Sequence, residues 1–280
     1  MIRRALFKVG LTAIVILLAS CSMQESRTAE EWFNFTWSGL AGIDSLTFQG
    51  QAAVARGELQ KLDEQVGFVG ELKEHRKLRI QSTLPAEKQA EQGKEQYTAA
   101  ADGLQSSNEV TLDWNGESWN VAENHSSGLA SGLARYNPLS QIESIRRTGK
   151  KVTAEHAAAR GTQVLRIQLE PEAAKRMLSG QLTKEMDEIR NGWQKRLKEL
   201  PETQRSKVQQ ALEREWSTDS ANLQKLLNTC NAEAVYYLTI NRNTGLPTRL
   251  TSETRLVYTT NRGVQEHEVL LTDSKFEYSR

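Results

Sequence analysis

Alternation of period two recurs along most of this chain and is interrupted by one long stretch of helical period. Leu46, Phe48, Ala52 and Val54 fall on one side of an extended backbone, with Gly50 between them. Val66, Phe68 and Leu72, then Leu78 and Ile80, repeat the pattern. Gln65, Glu71, Lys73, Lys77 and Arg79 fall on the opposite side. One dry face and one wet face describe antiparallel strands packed on a single side.

The polar stretch 84–109, with its run EKQAEQGKEQ, reads as a short helix or a loop. Alternation then resumes at Val110, Leu112 and Trp114. Asn115-Gly116 is a tight-turn signal, with Trp119 on the return. Residues 152–168 form a second predicted hairpin, turning near Ala159-Arg160-Gly161, with Leu165, Ile167 and Leu169 inward. The end of the chain is all strand. Tyr236, Leu238 and Ile240 lead to the turn Asn243-Thr244-Gly245, and Leu250, Leu256 and Tyr258 share the next face. Asn261-Arg262-Gly263 turns the chain again, and Val269, Leu271, Phe276 and Tyr278 close it. Three successive strands joined by short turns imply a meander.

Helical period is confined to a few places. Trp32, Phe33, Phe35 and Trp37 lie within six residues, either as a first helix or turn packing aromatics on the core or as a belt at a membrane interface. Asn137-Pro138 opens a short helix with Leu139, Ile142 and Ile145 on one face. From Pro171, the residues Ala174, Leu178, Leu182, Met186, Ile189, Trp193, Leu197 and Leu200 make one stripe. Pro201 suits the first turn of a second helix, carrying Val208, Leu212, Trp216, Leu223, Leu227 and Cys230, with a break expected at Ser217-Thr218-Asp219. These two form an antiparallel pair whose charged outer face is solvated, or else an arm over 171–230 that meets a protein partner.

The first twenty residues have a different logic. Arg3, Arg4 and Lys8 precede an apolar run from Val9 to Leu18. At 1.5 Å per residue that run is about 15 Å long, half the thickness of a bilayer core, and has the length of a secretory signal. It ends in Leu18-Ala19-Ser20-Cys21, which resembles the lipobox of bacterial lipoproteins. That resemblance implies cleavage before Cys21 and a diacylglyceryl anchor on its thiol; two acyl chains hold a protein on a membrane stably. The other reading of Cys21 is a buried cysteine that happens to follow a signal peptide. The expected organisation is a signal peptide over 1–20, a lipidated N-terminus and tether over 21–31, and a single domain over 32–280 that lies outside the cytoplasm.

Loss of residues 1–20 removes three cations and no anions, so the formal charge falls from +1 to −2. No basic excess then points to nucleic acid. With Cys21 acylated, Cys230 has no intramolecular partner and reads as a small buried apolar residue.

The order of elements resembles the superfamily of lipoprotein carriers and lipid-binding lipoproteins named for LolA, LolB and LppX. The stretches that carry the resemblance are SLTFQGQAAVARGE, NPLSQIESI followed by KVTAEHAAARGTQVLRIQLEP, and YYLTINRNTGLPTRLTSETRLVY. It implies an α+β fold: a strongly curved antiparallel sheet, an open half-barrel, with helices over its concave face. To this the chain adds a long helical-hairpin insertion over 171–230, which either fills the concave space or only lids it. The resemblance brings no catalytic residue.

Nor do the residues suggest catalysis. His75, His125, His156 and His267 stand singly, none at metal-ligand spacing from another His or Cys, and there is no G-x-S-x-G or phosphate-cradling loop. No enzyme activity, metal or cofactor is expected. Two functional readings follow. In one, an anchored envelope protein binds a lipid, a lipidated protein or another amphiphile in an apolar cavity, with Leu46, Phe48, Phe68, Trp114, Leu238 and Leu256 as candidate lining residues. In the other, it is an anchored interaction or signalling module with a filled core. A continuous void of several hundred Å³ separates the first from the second.

Overall fold

A computed structural model of the chain describes residues 27–57, 61–83, 109–122, 132–156, 158–260 and 262–278. The signal-peptide assignment, Cys21 and nearly all of the polar stretch 84–109 lie outside these residues. The strands are β1 (Leu46–Arg56), β2 (Lys61–Lys73), β3 (Lys77–Thr83), β4 (Glu109–Trp114), β5 (Trp119–Val121), β6 (Lys150–Glu155), β7 (Thr162–Leu169), β8 (Asn231–Asn241), β9 (Pro247–Thr259) and β10 (Gln265–Glu277). The helices are α1 (Ala29–Ala41), α2 (Pro138–Arg146), α3 (Pro171–Leu197) and α4 (Glu202–Thr229).

The strands form one ten-stranded sheet in the order β5-β4-β3-β2-β1-β10-β9-β8-β7-β6, and every pair is antiparallel. The chain therefore leaves the sheet at one outer edge, β5, and returns at the other, β6. In a flat sheet those edges would stand about 43 Å apart. They do not. Arg147, the C-cap of α2, donates from Nη2 to the Glu117 carbonyl in the β4–β5 turn at 3.0 Å, and β6 opens at Lys150. The sheet is curled but open, and α2 bridges its open side. The α+β half-barrel expected from the sequence is thus the observed fold.

Helix α2 starts where Asn137 accepts hydrogen bonds from the backbone N–H groups of Leu139 and Ser140, at 3.0 and 3.3 Å, with Pro138 pre-set in the first turn. Its Ile142 and Ile145 are buried under the inner face of the sheet. Helix α1 begins with a reciprocal cap between Thr28 and Glu31 and so takes in the last residues of the stretch assigned to the tether. It runs along β6, with Glu30 3.9 Å from Lys150 Nζ, toward Leu246, which closely approaches Gly39. Most of its aromatic surface is spent on packing, although Phe35 stays 39% exposed. Trp32 and Phe33 are buried, the Trp37 indole N–H donates to Glu143 Oε2 at 2.6 Å, and Phe35 lies against Gly245 in the β8–β9 turn.

Helices α3 and α4 form the antiparallel hairpin expected over 171–230. Two details differ from the sequence reading. Helix α4 runs unbroken through Ser217-Thr218-Asp219, since Ser, Thr and Asp are only modestly worse helix formers than their neighbours and one turn of them does not stop a helix already propagating. Ile189, counted in the buried stripe, is 40% exposed, because the outer part of α3 has no sheet beneath it to cover that face.

The inner face of β1 and β2 is built on a reciprocal fit. Phe48 stands opposite Gly70, and Gly50 opposite Phe68. A methyl group on Gly70 would fall within the Phe48 ring, and one on Gly50 would lie 2.5 Å from Phe68 Cζ. Each ring covers the glycine of the neighbouring strand, as in cross-strand aromatic rescue. Phe276 and Tyr136 complete the cluster, the latter stacked on Phe68 at 5.3 Å. Gly70→Val leaves the ring nowhere to go and is expected to lower stability by about 1–3 kcal/mol, read as a fall in the urea midpoint with an unchanged m-value.

Candidate functional site

A cavity of about 330 Å³ lies between the inner face of the sheet and helices α2 and α3. Its floor comes from three neighbouring strands in register. Tyr236, Ser252 and Thr272 form one row across β8, β9 and β10, and Ala234, Thr254 and Leu270 form the next. Most of these side chains are small, and the space exists because of that. Leu112, Trp119 and Val121 of β4 and β5 close one side, and Met177, Leu178 and Leu182 of α3 form the roof.

The floor is not purely apolar. Ser252 Oγ and Thr272 Oγ1 share a buried hydrogen bond of 2.6 Å. Tyr236 is 4% exposed, and burial pushes its phenol up to about 12, against a weaker pull from its hydrogen bond with Thr254.

The rim is charged but balanced. Arg135, just before α2, makes a bidentate ion pair with Glu185 of α3, its Nε donating to Oε1 at 3.1 Å and its Nη2 to Oε2. Gln181 also donates to that carboxylate, at 3.2 Å. Burial disfavours the Arg135 guanidinium, and Glu185 more than offsets this, so its pKa stays above the ordinary arginine value. Lys184 lies 3.8 Å from Glu188 and donates to the Trp119 carbonyl at 3.2 Å and to Asn120 Oδ1 at 3.4 Å. These contacts tie α3 across the open side of the sheet.

The candidate lining residues from the sequence fall elsewhere. Leu46, Phe48, Phe68 and Leu238 are each at most 2% exposed and packed in the core. Trp114 leans on Trp119, with ring centres 5.4 Å apart. Leu256 is half-buried, paired across the sheet with Ala232 and Glu268. None of the six is among the residues that line this cavity. Large inward residues fill space, and a void opens over small ones. The signal in the sequence was the set of small inward positions, Ala234, Ser252, Thr254 and Thr272, that interrupts the large ones. Cys230 is fully buried, and burial pushes its thiol up.

A second depression, of about 340 Å³, lies on the outer face around Gly70, between Gln49, Val69, Glu71, Arg79 and Gln81. Its cation is committed, since Arg79 donates to Glu109 at 2.6 Å. Among the described residues no group of three His, Cys, Asp or Glu is placed to hold a metal ion.

No family model matches the chain, and no curated protein matches it. Among the solved structures similar to it are two that cover most of this chain. One is lipovitellin, studied for its lipid–protein interactions, at 8% identity and a TM-score of 0.36, covering 84% of this chain. This chain spans 25% of that lipovitellin chain. The other is a LolA superfamily protein from Nitrosomonas europaea, at 8% identity and a TM-score of 0.29, covering 91% of this chain and 95% of that one.

The buried phenol makes the floor sensitive to alkali. Tyr236 titrates at about 12 when folded and near 10 when unfolded, so between those values the unfolded chain binds fewer protons and stability falls as pH rises. Its share is fully present below pH 10 and is lost at up to about 1.4 kcal/mol per pH unit above it. Tyr236→Phe is expected to flatten that part of the stability–pH curve, measured by urea denaturation from pH 9 to 12.

Proposed function

We propose that this protein is an envelope lipoprotein, held outside the cytoplasm by an acylated Cys21, that binds an amphiphile or a short acyl segment between its curled sheet and α3. The observation that carries the binding half is the cavity, whose volume lies at the lower end of ordinary ligand sites. It has an apolar wall, hydroxyls on its floor and a rim held by ion pairs, the usual composition of a small-molecule site. Its titratable groups are arranged for structure. Arg135 is committed to Glu185 and Lys184 to Glu188, and among the described residues no nucleophile with an adjacent base lines it. Binding rather than catalysis is the activity this arrangement suits.

The anchoring half is carried by the sequence: the order of n-region, short apolar run and Leu18-Ala19-Ser20-Cys21. With α1 beginning at Ala29, seven residues separate Cys21 from the folded body and reach at most about 25 Å. The cavity would therefore sit close to the bilayer, where amphiphiles are concentrated.

Filling the cavity tests the first half. Ala234→Leu places a branched side chain on the floor, and the purified variant is expected to lose an amphiphile that the wild type carries through native mass spectrometry. A wild-type spectrum showing only bare protein, even after incubation with lipid extract, would sink the reading and favour an interaction module. For the second half, cells grown on radiolabelled palmitate are expected to label the wild type and not Cys21→Ala; equal labelling of both would remove the anchor.

A further inference from the structure

Granting the cavity reading, we infer that the site selects an uncharged, single-chain amphiphile bearing a hydroxyl, in preference to an anionic lipid. Three observations lead there. The first is size. At about 30 Å³ for each water-sized group, 330 Å³ holds about eleven non-hydrogen atoms, one short chain with a small head.

The second is charge. An anionic head requires an uncommitted cation, and both cations that line the cavity are engaged. Arg135 is held bidentately by Glu185, and Lys184 lies beside Glu188 while donating to the Trp119 carbonyl. Two lining carboxylates against two lining cations leave no net attraction for an anion.

The third is hydrogen-bonding capacity. Gln141 of α2 lines the cavity, and its Nε2 donates to the Arg135 carbonyl at 3.3 Å, which fixes the orientation of the amide. Its Oε1 is buried and, among the described residues, receives no donor. Buried acceptors in folded proteins are normally satisfied, and this one lies on a residue of the cavity wall. On the floor, Ser252 and Thr272 have two O–H donors between them and use one on each other. The second is available to a ligand oxygen. A hydroxyl both donates and accepts and so can answer either group. A carboxylate can only accept: it leaves Gln141 Oε1 unsatisfied and meets Glu185 and Glu188 with like charge.

Decanol matches the cavity in size, and decane and decanoate are its controls. Equilibrium dialysis of each radiolabelled probe against the purified full chain at pH 8, with protein-free detergent as blank, measures the preference. Decanol is expected to bind at least about tenfold tighter than decanoate or decane. Gln141→Leu and Ser252→Ala/Thr272→Val are each expected to erase most of its advantage over decane while leaving decane binding in place. That retained binding also shows that the variants still fold. Decanoate binding as tightly as decanol, or variants that keep the full preference, would overturn the inference and leave the cavity reading standing. Failure of all three probes to bind the wild type would overturn both.

Discussion

Pairing of β1 with β10 is the constraint from which the rest of the architecture follows. Residues from Thr47 to Arg56 meet residues from Glu277 back to Glu268 in unbroken register. This puts the beginning and the end of the described sheet side by side at its centre. The middle of the chain must then depart from one outer edge and come back at the other. The segment between β5 and β6 makes that passage on the open side of the curled sheet, with α2 in it. The curl gives α2 an inner face to sit on, and it directs α3, which leaves β7, over the open side.

One inner face carries two kinds of interior. Over β1 to β4 large residues cover the small ones: Phe48 and Phe68 fill the space over Gly70 and Gly50, and with Leu78, Ile80, Leu112, Ile142 and Ile145 they belong to one packed core. Over β8 to β10 the inward residues under α3 include the small Ala234, Ser252, Thr254 and Thr272, and the space opens above them. The same short side chains that leave the space also bring hydroxyls into it. Void and polarity therefore share one origin, and a cavity made this way differs from one lined by leucine and phenylalanine. It has some affinity for water, and a ligand that replaces water there must make hydrogen bonds in turn.

Period and turn chemistry made the fold legible in the sequence. Alternation placed the inward residues of β1, β3, β4, β7 and β8, Asn115-Gly116 placed the β4–β5 turn, and Asn137-Pro138 placed the start of α2. These are local signals, expressed within a few residues. The cavity was not legible, because it depends on which inward positions end up under a helix. Ser252 and Thr272 stand twenty residues apart and become neighbours only through the β9–β10 register. Arg135 and Glu185 stand fifty apart and meet only because α3 crosses the open side. The large inward residues chosen as lining candidates pointed away from the void: Leu46, Phe48, Phe68 and Leu238 lie in the packed core, and Trp114 and Leu256 are half-buried outside the cavity lining. Ser217-Thr218-Asp219 shows the complementary case, where a weak local signal for a break was outweighed by a helix already formed on both sides.

The α3–α4 hairpin differs energetically from the sheet it covers. Over 28 residues α4 buries one side chain, Leu227, and α3 buries only Ala173, Ala174, Gly192 and Leu197. Its two helices are joined to each other by Arg190, which is paired with Glu213 at 3.0 Å and stacked over Trp216. They are joined to the sheet by Ala174, Met177 and Leu178 of α3, which pack on the core, and to the rim by polar contacts, Arg135 with Glu185 and Lys184 with β5. Polar contacts near a surface are individually weak and are exchanged for water at little net cost, whereas separating β1 from β10 would expose a continuous apolar core. Local opening therefore costs less at the sparsely buried α4 than in the central strands of the sheet.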